Sequence, residues 1–100
     1  MSIVAITTVI EARIIANDWV ISHLPDRFAA GIPERDHSHI GWRIPVWLSY
    51  PQLVPLGPVG ELLIDDATGR LVEHTPIDKM KERATKLYEE HREQIEAPLL

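Results

Sequence analysis

From Trp42 to Tyr50 the chain alternates with a period of two. Trp42, Ile44, Val46, Leu48 and Tyr50 fall on one side, and Arg43, Pro45, Trp47 and Ser49 on the other. That rhythm predicts a strand with one buried face. Pro45 has no N–H to give a ladder, so one flank of the strand is expected to be unpaired or bulged there. A second strand is expected over Val59–Asp65, with Gly60, Leu62 and Ile64 sharing a face, and a shorter one over Arg27–Pro33, with Phe28, Ala30 and Ile32 sharing a face. Pro33 marks that strand as an edge or its end. Glu34 to His39 reads as a polar loop, and the Pro-rich QLVPLGP stretch after Pro51 as a connection.

A slower rhythm flanks this region. Thr8 and Glu11 have capping-box spacing, so a helix is expected from Val9 to about His23. Ala12, Ile15, Ala16, Trp19 and His23 line one side of it, with Ile14 and Val20 at the margins. Pro25 stops it after Leu24. Ser2–Thr7 is mostly apolar and reads as a short edge strand or a docking arm. At the other end, Thr75 as cap and Pro76 at the first helical position predict a helix running to about Glu96. Its stripe is Ile77, Met80, Ala84, Leu87, His91 and Ile95, with Tyr88 beside it. This narrow stripe can close the sheet or project into a partner's groove.

Asp66-Ala67-Thr68-Gly69 is turn chemistry, with Gly69 supplying a left-handed residue and Arg70–Glu73 continuing the ribbon. The expected fold is therefore α+β: an N-terminal helix on an antiparallel sheet of three or four strands, followed by a long C-terminal helix. Residues 1–100 form a single domain, with a helix-plus-sheet core over 8–73 and the terminal helix over 75–97.

Composition changes this picture little. The 100 residues carry a net charge of −5, and most of the acid lies beyond Tyr50. That argues against bulk electrostatic binding of nucleic acid or anionic membranes. The absence of cysteine excludes thiolate chemistry and Cys-zinc sites. No apolar run approaches the roughly 20 residues of a membrane span, and no export signal is recognisable, so a cytoplasmic location is expected.

Leu63-Ile64-Asp65-Asp66-Ala67-Thr68-Gly69-Arg70-Leu71 and the earlier Gly41-Trp42-Arg43-Ile44-Pro45-Val46 resemble the closing ribbon and preceding strand of PepSY-type domains. The likeness spans about residues 8–73 and implies the same helix-then-sheet order. The family's peptidase-inhibiting role does not carry over with it, because PepSY domains are usually exported or membrane-attached. The Pro-rich connection and C-terminal helix depart from the pattern. The whole chain is also similar to small cyanobacterial proteins, a likeness that implies no activity.

Candidate chemistry is sparse. His37 and His39 could share a metal ion if their loop is extended, but no further ligands are suitably spaced, and a solvated loop explains them as well. Asp65, Asp66 and Asp78 are accounted for by the turn and by the helix start. Gly57-Pro58-Val59-Gly60 lacks the Lys-Ser/Thr of a phosphate loop. No cofactor is implied. The informative side chain is Trp47, which alternation turns away from the core. With Pro45, Arg43 and Leu63 it forms an apolar patch with an arginine, unless the terminal helix or arm covers it. Leu87 and Tyr88 are the corresponding candidates on the helix.

Three functional readings follow. The first is a non-enzymatic protein-binding module that self-associates as a homodimer or takes a protein partner. The second is an acidic antitoxin-like protein that neutralises a basic toxin through its C-terminal helix. The third is a small-ligand or metal binder using the sheet as a pocket floor.

Overall fold

Thr8 closes a capping box at the start of the first helix. Its hydroxyl accepts from the Glu11 amide at 3.1 Å, and the Glu11 carboxylate accepts from the Thr8 amide at 3.2 Å. The computed structural model describes residues 8–36, 41–50, 53 and 55–96. The expected arm Ser2–Thr7, the pair His37 and His39, and Pro51 and Gln52 lie outside the described residues. The elements are α1 (Val9–His23), β1 (Phe28–Ala30), β2 (Glu34–Asp36), β3 (Gly41–Leu48), β4 (Gly57–Asp65), β5 (Leu71–His74), α2 (Ile77–Glu90) and α3 (Arg92–Glu96).

The sheet is antiparallel and has five strands where the sequence suggested three or four. The additional strand is β2, in the segment expected to be a polar loop. β1 and β2 both pair with β3, at its C-terminal and N-terminal ends respectively. Gly31-Ile32-Pro33 separates them and lies outside the strands. Pro45 explains the break. The Gly31 amide donates to the Pro45 carbonyl at 2.8 Å, so this flank of Pro45 faces the gap. The N–H that proline lacks is missing where no strand residue requires it.

β3 pairs with β4 along its whole length, and β4 pairs with β5. Between Val46 and Trp47 the register slips. Val46 opposes Gly60 and Trp47 opposes Pro58, leaving Val59 as the extra residue of a bulge. A second slip leaves Val72 as the extra residue on β5. The turn behaves as expected. Gly69 has φ 70°, and the Asp65 carboxylate accepts from the Thr68 amide at 3.0 Å and its hydroxyl at 2.7 Å.

One cluster forms the core. Ala12, Ala16 and Val20 of α1, Ala30, Ile44, Val46, Leu48, Val59, Leu62 and Ile64 of the sheet, and Met80 and Ala84 of α2 are all buried in it. Both helices therefore pack on the same sheet face. Burial at about 25 cal/mol per Å² of apolar area is the main stabilising contribution. On β3 the inner row is Trp42, Ile44, Val46 and Leu48, as its alternation predicts. Gly60 permits the close approach of α2, because a Cβ there would lie 2.9 Å from Met80 Cγ and 2.8 Å from Thr75 Cβ.

The terminal helix differs from expectation in two respects. Thr75 does not cap it. Its hydroxyl accepts from the Glu61 amide at 2.9 Å and its own amide donates to the Glu61 carbonyl, so Thr75 extends the sheet and Pro76 precedes the helix. The helix is also not continuous to Glu96. α2 ends at Glu90, and His91 (φ −114°, ψ 17°) separates it from the short α3. The last turn of α2 carries Glu89 and Glu90 and no basic residue, an unfavourable arrangement at the negative end of a helix. No helix among the described residues is long and apolar enough to cross a membrane.

Candidate functional site

α1 and α2 pack on one face of the sheet, and neither of them covers the second. Because directly paired residues project to the same side, the register fixes what this face presents. Asp36, Gly41 and Asp65 form one cross-strand row. Glu34, Arg43, Leu63 and Glu73 form the next, followed by Pro45 with Glu61, and then Ala29, Trp47 and Pro58.

Arg43 anchors the middle of the face. Its guanidinium donates to the Asp36 carboxylate at 3.2 Å and also to Glu61. The hydrogen bond to Asp36, reinforced by the charges of Glu61 and Asp36, raises the guanidinium above its ordinary pKa. Asp36 is buried and Glu61 is exposed. The arginine thus bridges the edge strand β2 to β4 across β3, holding a planar donor in a fixed place on the surface.

Trp47 is half-buried, as is Pro45 beside it, and Trp47 takes no part in the core. Its ring lies over the backbone of Gly31 in the gap between β1 and β2. Leu63 occupies the outer row, as alternation placed it, but is only 5% exposed. The accessible apolar part of the patch is therefore Trp47 and Pro45. Beyond Arg43, a depression of about 440 Å³ is lined by Arg43, Glu61, Leu63, Glu73, His74, Thr75 and Pro76.

Leu87 and Tyr88 lie elsewhere. Leu87 packs against the core beside Gly57, where a Cβ would sit 3.3 Å from its Cδ2. Tyr88 faces Tyr50 with ring centroids 6.4 Å apart, and both line a groove of about 340 Å³ with Phe28, Leu48 and Ala84. The Tyr88 hydroxyl donates to Glu96, which raises its pKa above that of an ordinary phenol. The stripe of α2 is spent on its own sheet through Met80 and Ala84. Leu87 and Tyr88 thus do not join the Trp47 face.

The described histidines make local contacts. His23 stacks on Trp19 at 4.5 Å, and His74 lies against the same indole at 4.8 Å. His91 Nδ1 lies 2.9 Å from the Leu87 carbonyl. Among the described residues no three His, Asp or Glu side chains are grouped to hold a metal ion. Asp66 is committed to Arg35 at 2.7 Å, and Arg35 lies over the Trp42 ring at 4.5 Å.

The Asp36–Arg43–Glu61 bridge is not legible in the sequence, because the Glu34–His39 stretch reads as a polar loop and pairing between distant strands leaves no local signal. The outer side of α1 was also missed. Ile10 and Ile14 are 69% and 56% exposed, and Ile21 is 78% exposed. Ile14, expected at the margin of the buried stripe, lies on this exposed side, whereas Val20 at the other margin is buried.

No family model matches this chain, and no curated protein or solved structure does either.

Proposed function

We propose that this chain is a non-enzymatic protein-binding module and that the sheet face opposite α1 and α2 is the recognition surface. The observation that carries this reading is Trp47, half-buried on that face beside Pro45, outside the core, and held over Gly31. An indole and a fixed arginine on one sheet face, with Pro45 between them, have the composition of a binding hot spot.

The surrounding charge specifies the partner's chemistry. Glu34, Asp36, Glu61, Asp65 and Glu73 share the face with Arg43. These acids lie to one side of Trp47 and Pro45, and Glu34, Glu61 and Glu73 are exposed, which suits a protein that sets basic side chains beside an apolar contact. A basic toxin, as the antitoxin-like reading supposes, would meet the sheet rather than the C-terminal helix. That helix is already packed at Met80 and Ala84.

The test is affinity capture from the source cell with the wild-type chain, Trp47→Ala and Lys79→Ala, the last an exposed control on α2. The expected result is a basic protein retained by the wild type and the control and lost with Trp47→Ala, while the circular dichroism spectrum is unchanged. Equal retention by Trp47→Ala would remove the sheet face from the reading.

A further inference from the structure

The outer side of α1 has a pattern that the Trp47 face does not use. At about 100° per residue, Ile10, Ile14, Asn17 and Ile21 fall within an arc of about 60°. The buried Ala12, Ala16 and Val20 lie on the far side of the helix. The three isoleucines are more than half exposed. Their four-three-four spacing is that of a coiled-coil seam, and the seam is broken once, by Asn17.

We infer that this seam is the contact with a second copy of the chain, α1 against α1, with the two helices parallel about a twofold axis. Charge selects the occupant and its direction. Arg13 flanks the seam on one side, and Glu11 and Asp18 flank it on the other. In a parallel pair the basic flank of one copy faces the acidic flank of its partner, so Arg13 meets the partner's Asp18 twice about the axis. In an antiparallel pair, acid would face acid. Asn17 points the same way, because only a parallel, in-register pair sets each asparagine amide against its own copy, where the two can hydrogen-bond. A buried polar seam position of this kind fixes register at some cost in affinity. The contact is one helix long, at the small end of interfaces, so a dimer that dissociates on dilution is expected. The Trp47 face takes no part in it, and the dimer presents that face twice.

Sedimentation equilibrium of the full chain across the micromolar range tests this. A monomer–dimer equilibrium is expected. Arg13→Asp and Asp18→Arg each weaken it at least about tenfold, and the double variant Arg13→Asp/Asp18→Arg restores it. Rescue by the double variant separates a lost contact from a damaged fold. The chain has no cysteine, so Ile10→Cys reports direction: parallel helices give a disulfide-linked dimer under mild oxidation, whereas antiparallel helices do not. A chain that stays monomeric, a dimer indifferent to both charge reversals, or a dimer without the Ile10→Cys crosslink overturns the inference. Trp47→Ala is expected to dimerise normally. Loss of the dimer in that variant would place the interface on the sheet and also overturn the inference, while capture of a basic partner would still stand or fall by itself.

Discussion

Gly31 lies directly beneath Trp47: a Cβ on the glycine would come within 2.7 Å of the indole Nε1 and 2.9 Å of Pro45 Cγ. The half-buried tryptophan is therefore seated by the absence of a side chain on the neighbouring edge. Gly31→Ala is expected to shift the ring, at a cost of about 1–2 kcal/mol. The indole N–H cross-peak of Trp47 should move, while those of Trp19 and Trp42 stay in place. An unmoved Trp47 signal would mean that the indole is held by something else.

Asp66 closes the β4–β5 turn, and its carboxylate is buried. Arg35 of β2 reaches it at 2.7 Å and covers Trp42 on the way. Removing the guanidinium leaves a buried carboxylate without that donor. Because Arg35 is partly exposed, the full cost of breaking a buried pair does not apply. Arg35→Ala is expected to destabilise the fold by about 1–2 kcal/mol, measured as a lower urea midpoint with an unchanged slope. No change in the midpoint would show that β2 and the turn are held independently of this bridge.

Tyr88 should respond to alkali. Its hydroxyl donates to Glu96, so folding favours the protonated phenol and the folded pKa lies above the ordinary value. A raised pKa contributes stability that is fully present below the unfolded pKa and lost as pH rises through the folded one. In a Tyr50→Phe background, phenolate absorbance should appear at higher pH than for a free tyrosine. Glu96→Gln should bring it back toward the ordinary value. An unchanged midpoint in Glu96→Gln would remove the hydrogen bond as its cause.

Local chemistry was legible in the sequence, and long-range geometry was not. The α1 cap at Thr8 and Glu11, the alternation of β3 and the left-handed Gly69 depend on neighbours a few residues apart, and the structure has them where the residues predict. β2 was invisible because Glu-Arg-Asp has no strand propensity of its own. It is recruited by pairing with β3 and by the ion pairs of Arg35 and Asp36. Thr75 misled as a cap because a threonine before a helix has two uses, and here the Glu61 backbone claims its hydroxyl. At the candidate site, alternation turned Trp47, Pro45, Arg43 and Leu63 outward together. It could not show that Leu63 would be buried, or that both helices would choose the opposite face.

Thiol labelling of single-cysteine variants on β4 tests most directly whether the face around Trp47 is open. Glu61 projects to that face opposite Pro45, and Leu62 projects into the core opposite Ile44. In dilute native protein, Glu61→Cys should react with a maleimide at close to the rate of a free thiol, while Leu62→Cys should react only through unfolding. If Glu61→Cys proved as protected as Leu62→Cys, the sheet would be covered on both sides and the proposed recognition surface would not exist.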